Sequence, residues 1–195
     1  MKVLVVYSHP IDTSFIAACR DRLLSGLDAG GHDVRLTDLY AEDFQPELSA
    51  EERTNQHASP DTKPGIAGHA ANLQWCDTLV LVYPTWWSSQ PAMLKGWIDR
   101  VWVNGVAYDL PKGANRIRPR LTNIRRIAAV TTHGSPKWLN ALQGEPGKRI
   151  VTRSIRLLCN RRARTSWVAF YGTDAADDRQ RARFLDRVER FGRTL

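Results

Sequence analysis

The sequence has 195 residues, 43% of them hydrophobic and 25% charged, which is enough for one globular domain with a substantial core, expected to span 1–195. Lys and Arg total 28 against 20 Asp and Glu, and the resulting net charge of +8 favours anionic partners such as nucleotides and phosphates. The apolar run near the amino terminus is only five residues long, too short for a signal peptide, and no segment approaches the length needed to span a membrane.

The three cysteines, Cys19, Cys76 and Cys159, are far apart and odd in number. They form neither a disulfide framework nor a metal-binding spacing, so we expect no metal site. This cysteine usage fits a reducing compartment, and we expect the protein to be cytoplasmic, without insertion into a membrane.

Apolar strands alternate with amphipathic helices from the start of the chain. Lys2–Tyr7 is an apolar, β-branched run that predicts a central strand. A helix follows, capped by Thr13 or Ser14 and ended by Gly30-Gly31. The next predicted elements are a strand near the sheet edge at Asp33–Leu39 with Val34, Leu36 and Leu39 facing inward, a short helix around Ala50–Asn55, a surface loop at His57–Lys63 and a helix at Gly65–Trp75.

The rest of the chain is organised around Thr78–Val106. Its first part, Leu79–Tyr83, is a continuous apolar run, as in a strand buried on both faces of a parallel sheet. Pro84–Gln90 is a turn with two adjacent tryptophans, and Pro91–Val103 predicts a helix that opens on proline. The turn lies at the carboxyl end of a strand, where open α/β sheets bind their ligands. A ligand site is one interpretation of the tryptophans; a core cap or a dimer contact is the other.

The second half continues the alternation. After the long basic connection Asn104–Asn123, Arg125–Thr132 predicts a fourth strand that ends in the turn His133-Gly134-Ser135-Pro136. The remaining predicted elements are a helical turn at Trp138–Leu142, a helix at Arg149–Cys159, a fifth strand at Thr165–Phe170 and a helix at Asp177–Phe191.

Five strands that alternate with helices imply one parallel sheet covered on both faces. Right-handed crossovers favour a flavodoxin-like three-layer α/β sandwich with a five-stranded parallel sheet in the order 2-1-3-4-5. In that order the carboxyl ends of strands one, three and four border one crevice. The loops that meet there are Ser8–Phe15, Pro84–Gln90 and Thr131–Pro136.

The first of these loops lacks the Gly-x-Gly-x-x-Gly fingerprint of dinucleotide-binding folds. Instead, His9, Thr13 and Ser14 precede a helix whose free N–H groups and dipole favour an anion. Simple N-terminal capping is the alternative interpretation of these residues. Together with the tryptophan turn, however, a phosphate site beside a flat aromatic wall suits a nucleotide-like cofactor with a planar ring.

Three motifs carry a resemblance to a known family. They are His-Pro-x-x-x-Ser-Phe from His9, Tyr-Pro-x-Trp-Trp-x-x-x-Pro-Ala-x-Leu-Lys-Gly-Trp-x-Asp-Arg-Val from Tyr83, and Thr-Thr-x-Gly-Ser from Thr131. The chain thereby resembles the NAD(P)H:quinone oxidoreductase family of flavoproteins, from Met1 to about Gly147. The central motif is highly specific, whereas the other two alone would be weak.

The resemblance implies a bound flavin, FAD in preference with FMN as the alternative, and NAD(P)H as co-substrate. The residues implied to contact its phosphate and ribityl end are His9, Thr13, Ser14 and Phe15. Those implied to flank the isoalloxazine are Pro84, Thr85, Trp86, Trp87 and Ser88. Those implied to bracket its pyrimidine edge are Thr131, Thr132, His133 and Gly134.

The chain departs from this family at several positions, among them Ile16, His133 and a later loop. Mammalian members place a tyrosine and a histidine around the Leu-Gln-Gly that matches Leu142-Gln143-Gly144, where they relay charge during hydride transfer. The nearest counterparts here are Asn140 and Pro146, so that relay is missing. His133 is a candidate catalytic replacement; a solvated turn histidine is the alternative.

Three functions are compatible with these observations. The first is an enzyme that passes hydride from NAD(P)H through flavin N5 to a quinone or similar planar acceptor. The second is a regulatory flavoprotein whose redox state is sensed by a membrane partner. The third is a nucleic-acid binder, suggested by the arginines of Arg116–Arg126 and Arg149–Arg164, but no nucleic-acid motif accompanies them and we expect no such partner.

The aromatic content and the resemblance together predict a homodimer. Trp97 and Trp102 are five residues apart on one predicted helix, so we expect at least one of them to point away from the sheet. Exposed aromatic patches mark interfaces. The residues counted toward such a patch are Trp86, Trp87, Trp97, Trp102, Tyr108 and Trp138.

Overall fold

A computed structural model describes residues 1–55, 65–111, 113 and 115–195. The surface loop predicted at His57–Lys63 lies outside the described residues. The elements of the first part are β1 (Lys2–Tyr7), α1 (Phe15–Ala29), β2 (Asp33–Asp38), α2 (Ala50–Thr54) and α3 (Ala67–Trp75). Each corresponds to an element predicted from the sequence, with bounds that differ by a few residues at most.

The remaining elements continue the alternation. The central ones are β3 (Thr78–Pro84), α4 (Ala92–Val101), β4 (Tyr108–Asp109), β5 (Arg118–Pro119) and β6 (Arg126–His133). The last ones are α5 (Lys137–Leu142), α6 (Pro146–Arg149), a π-helical turn Ile150–Ser154, a 3-10 turn Ile155–Leu158, β7 (Arg164–Tyr171), a 3-10 turn Thr173–Ala175 and α7 (Asp178–Arg193).

The main sheet contains five parallel strands in the order β2-β1-β3-β6-β7. Counted along the main sheet alone, this is the order 2-1-3-4-5, and the flavodoxin-like prediction is confirmed. The basic connection after α4 also contains a two-stranded antiparallel ribbon of β4 and β5, which the sequence analysis did not predict. Both ribbon strands are only two residues long, too short to give a periodic signal.

The core lies on both faces of the sheet, because every residue of β3 is buried. Helices α1 and α7 cover one face, and α3, α4 and the helical turns between α6 and β7 cover the other. Close contact between α1 and α7 depends on glycine: a Cβ added at Gly26 would lie 2.1 Å from the Glu189 carbonyl oxygen. This packing fixes α1, the helix whose amino terminus opens on the cleft described below.

Two sequence expectations about side-chain direction were wrong. Leu36 is 41% exposed instead of facing inward, because β2 is an edge strand with a neighbour on one side only. Trp97 and Trp102 are both buried, and their rings meet edge to face with centroids 6.3 Å apart. Trp102 is the residue at which the chain leaves α4, with φ −86° and ψ 58°, so its ring turns back onto Trp97 and not outward.

Within the described ranges, the helices are all too short or too polar to cross a bilayer.

Candidate functional site

A cleft of about 720 Å³ opens at the carboxyl ends of β1, β3 and β6. The three loops expected to converge there do so. The cleft is lined by His9, Ser14, Phe15, Ile16, Pro84, Thr85, Trp86, Trp87, Thr132, Gly134, Ser135, Thr173, Asp174 and Arg181. Four of the residues predicted for the site are outside this lining, namely Thr13, Ser88, Thr131 and His133.

The amino terminus of α1 forms one part of the cleft. Ser14 is its N-cap, and the Ser14 hydroxyl accepts a hydrogen bond from the Ala17 N–H at 3.2 Å. The N–H groups of Phe15 and Ile16 precede the first intrahelical hydrogen bond, and no acceptor for them occurs among the described residues. Both residues line the cleft. Their N–H groups can donate to a phosphate there, at the end of a helix whose dipole favours an anion.

Arg181 adds a cation to this end of the cleft. Its Nη2 donates to the Thr173 carbonyl oxygen at 3.0 Å, and its guanidinium lies 5.6 Å from the centre of the Phe15 ring. Five residues of the lining were not predicted as site residues, namely Ile16, Ser135, Thr173, Asp174 and Arg181. For Thr173 and Asp174, the available signal was the fifth strand: its carboxyl end borders the same edge of the sheet, so the loop after β7 was a candidate that the three-loop prediction left out.

The two tryptophans lie on a tight reverse turn. Trp86 and Ser89 exchange backbone hydrogen bonds of 3.2 and 3.1 Å, and the residues between them, Trp87 and Ser88, have φ of 49° and 62°. Asn-Gly is the typical sequence for this hairpin geometry. The left-handed conformation costs a residue other than glycine roughly 1–2 kcal/mol. The turn leaves the Trp87 side chain fully exposed at the cleft. Such local strain is a recurrent feature of binding sites.

The tryptophan turn is tied to the segment that follows β6. The Ser88 hydroxyl donates to Gln143 Oε1 at 2.6 Å, and the Ser88 carbonyl accepts from the Gly147 N–H at 3.0 Å. A Cβ at Gly147 would lie 3.1 Å from that carbonyl oxygen, a tight contact, so glycine favours this close approach. Ser88 therefore holds the shape of the turn from outside the cleft.

Beneath the cleft, a chain of hydrogen bonds connects β3, β6 and α5. Asn140 donates through Nδ2 to the carbonyl oxygens of Ser135 and Pro136, so its Oδ1 accepts from His133 Nδ1–H at 2.8 Å. Burial lowers the pKa of His133, which keeps the ring neutral near pH 7 and makes Nε2 an acceptor. The Thr85 hydroxyl, 3.3 Å away, then donates to Nε2, and Thr131 donates to Thr85 at 2.9 Å.

His133 also stacks on a second polar group. Its ring is 4.4 Å from that of Tyr171 at an angle of 19°, and the Tyr171 hydroxyl donates to Glu145 Oε1 at 2.8 Å. Burial raises the pKa of Glu145, but hydrogen bonds from Lys148 and Tyr171 outweigh it and hold that pKa below its ordinary value. His133 is only 6% exposed. It therefore acts on the cleft through Thr85, and is not a solvated turn residue.

The fold and the cleft agree with a known family. A family model described as flavodoxin-like fold matches residues 1–191. The chain belongs to the flavodoxin-like fold family.

Individual relatives support the resemblance inferred from the motifs. An uncharacterized NAD(P)H oxidoreductase from Escherichia coli strain K12 is 36% identical over 108 residues, covering 55% of this chain and 55% of that protein. Ribosyldihydronicotinamide dehydrogenase (quinone) from Mus musculus is 32% identical over 126 residues, covering 56% of this chain and 54% of that protein. The matched part is thus about half the length of these curated relatives.

A solved structure extends the similarity over the whole chain. The NAD(P)H:quinone oxidoreductase from Methanothermobacter marburgensis superposes with a TM-score of 0.81 at 27% identity, covering 100% of this chain and 96% of that one. The resemblance to quinone oxidoreductases is thereby confirmed at the level of family.

The position of His133 gives a prediction for the variant His133→Gln. Burial lowers the pKa of His133 below its ordinary value of 6.5. The unfolded chain therefore binds a proton at this residue more readily than the folded chain does. The stability that depends on neutral His133 is present above pH 6.5 and is lost as the pH falls from there through the lowered pKa of the folded state. The variant should lose about 1–2 kcal/mol of unfolding free energy at neutral pH, from the broken contacts. It should also lose less further stability on acidification than the wild type does. Denaturant unfolding at several pH values measures both effects.

The same variant tests the predicted catalytic role of His133. A residue that acts only by holding Thr85 should leave flavin affinity within about threefold of wild type, since it does not line the cleft. A loss of turnover by orders of magnitude with unchanged stability would instead support catalysis by the imidazole itself.

Proposed function

We propose that this protein is a flavin-dependent NAD(P)H oxidoreductase that reduces a quinone or a similar planar acceptor. One observation carries the proposal: a single cleft is lined both by the start of α1, with its free N–H groups and Arg181, and by the exposed tryptophan turn. The first feature suits a phosphate and the second suits a flat ring. The names of the relatives, an NAD(P)H oxidoreductase and quinone-reducing dehydrogenases, support the same class of reaction.

The residues present fit a flavin. The cleft volume of about 720 Å³ is within the range of small-molecule sites. The N–H groups of Phe15 and Ile16 would hold the phosphate together with Arg181, which contributes charge-assisted hydrogen bonds. Trp86 and Trp87 would contact the ring, because indoles stack on planar aromatic ligands.

When bound, a flavin supplies the N5 atom that accepts hydride and passes electrons to the acceptor. The protein supplies the position of the ring. Thr85 is held in one orientation by His133 and Thr131, so its backbone and hydroxyl form a rigid side of the cleft. Gly134 leaves room for the Asp174 carboxylate beside the cleft, since a Cβ there would lie 2.7 Å from Asp174 Oδ2. Thr132 lines the same region.

Spectroscopy and steady-state kinetics test this proposal together. The purified protein, or the protein after incubation with FMN or FAD, should show flavin absorbance, and identification of the released flavin separates the two cofactors. Excess NAD(P)H with a quinone should give turnover. Flavin retention without turnover would favour a regulatory flavoprotein, and a failure to bind either flavin would refute the proposal.

We also propose that the protein is a homodimer. The exposed apolar side chains near the tryptophan turn include Trp138, at 68% exposure, and Leu142, at 79%. Leu142 precedes Gln143, which accepts from Ser88 of the turn, so a patch of apolar surface adjoins the cleft. Sedimentation at micromolar concentration should give twice the chain mass of 22.1 kDa. A monomer that retains flavin and turns over NAD(P)H would contradict the dimer alone.

A further inference from the structure

A second cavity lies at the other end of the sheet strands, where β6 and β7 begin. It has a volume of about 400 Å³ and is lined by Arg125, Arg126, Asn160, Arg162 and Arg164. A neighbouring cavity of about 550 Å³ shares Asn160 and Arg162 with it. Thr122 and Arg161 complete the lining of that neighbour. These residues together are called the arginine trough below.

The trough concentrates positive charge. No carboxylate belongs to its lining, and within the described residues none of its arginines lies within 4.0 Å of an acidic group. Some arginines elsewhere in the chain do have an acidic partner: Arg100, for example, contacts Glu52 at 2.6 Å. Moreover, Arg126 and Arg164 are aligned in the parallel register of β6 and β7. Like charges at neighbouring positions repel each other, and an anion bound in the trough would offset that repulsion.

The backbone of the trough is fixed by groups other than its guanidiniums. Asn160 donates through Nδ2 to the Thr122 carbonyl oxygen at 3.0 Å and accepts the Arg162 N–H at 3.0 Å. The Arg156 guanidinium donates to the Ala163 carbonyl oxygen at 2.8 Å, and the Arg164 N–H donates to the Arg125 carbonyl oxygen at 3.0 Å. Among the described residues, the guanidiniums of the trough itself make no hydrogen bond to the protein. These guanidiniums are therefore available to a ligand, while hydrogen bonds hold the backbone that carries them.

We propose that the arginine trough binds a small molecule that carries two or more phosphate groups. Guanidiniums recognise phosphate oxygens with paired, charge-assisted hydrogen bonds, and several of them converging on one cavity suit a polyanion better than a single phosphate. The lining contains no aromatic side chain on which a base or flavin ring could stack. The recognised part of the ligand is thus the polyphosphate moiety. The trough is separate from the flavin cleft, which lies at the opposite strand ends.

Calorimetric titration of the full chain with inorganic tripolyphosphate at physiological salt tests this site. Wild-type protein should bind it saturably. The triple variant Arg126→Gln/Arg162→Gln/Arg164→Gln should weaken binding at least about 10-fold, because three charge-assisted contacts are lost. The matched control Arg179→Gln/Arg183→Gln/Arg187→Gln removes the same charge from exposed positions of α7. It should change the dissociation constant by less than about twofold, since distant charges are screened.

A second variant separates geometry from charge. Arg126→Lys/Arg162→Lys/Arg164→Lys keeps the net charge but removes the forked donors, and it should bind about threefold or more weakly. It also gives a result if the glutamine variant fails to fold. The proposal would be overturned if the wild type showed no saturable binding, if the trough and control variants lost binding equally, or if the lysine variant bound as tightly as wild type. An oligonucleotide that occupies the trough and that tripolyphosphate cannot displace would also overturn it, in favour of nucleic acid.

Discussion

Ser14→Asp is expected to lower flavin affinity about 100-fold, because it places a carboxylate beside the proposed phosphate position. Aspartate caps a helix as well as serine does and suits the positive end of the helix dipole. The cap contact to the Ala17 N–H can therefore be kept. The unfolding free energy should change by less than about 0.5 kcal/mol. Fluorescence titration of the apoprotein with flavin, with parallel denaturant unfolding, measures the two quantities.

Ser14→Asn is the matched control for this substitution. Asparagine has the same shape as aspartate and also caps helices, but it carries no charge. Its flavin affinity should remain within about threefold of wild type. If Ser14→Asp binds flavin as tightly as wild type, the loop after β1 is only a helix cap and the phosphate position is elsewhere.

The second large effect is expected for Trp86→Ala/Trp87→Ala, which should weaken flavin binding about 10- to 100-fold through the loss of two ring contacts. Trp87 is fully exposed and Trp86 is 43% exposed. Their removal should therefore change the unfolding free energy by less than about 1 kcal/mol. Flavin titration and thermal unfolding of the same preparations measure these effects.

Trp138→Ala serves as the control for the double variant. Trp138 is also exposed, at 68%, but it does not line the cleft. Its flavin affinity should be close to that of wild type. A Trp86→Ala/Trp87→Ala protein that unfolds easily yet retains its flavin would show that the indoles support the structure and do not bind the ligand.

The sheet and the convergence of its loops could be predicted because their causes are local and strong. A run such as Leu79–Tyr83 is typical of a strand buried on both faces. The alternation of such strands with helices leaves few possible topologies. Parallel strands then bring their carboxyl ends to one edge whatever the details of packing. The turn Trp86–Ser89 could be located in the same way, although its left-handed residues could not, since Trp-Ser is not a typical sequence for that turn.

The directions of individual side chains were harder to predict from the sequence. Whether His133 enters the cleft or lies beneath it depends on Asn140 and Tyr171, which reach it from α5 and the end of β7. Trp102 faces inward because the backbone leaves the helix at that residue, which helical periodicity cannot show. Arg181 enters the cleft only because α7 packs against α1. Each of these depends on contacts between residues distant in sequence.

The most direct test of the central claim is the visible absorbance spectrum of the purified protein before and after addition of NAD(P)H and then of a quinone. We expect a flavin spectrum in stoichiometric amount, either as purified or after incubation with FMN or FAD. The spectrum should bleach with NAD(P)H and return with the quinone. A folded protein that stays colourless and takes up neither flavin would contradict the account.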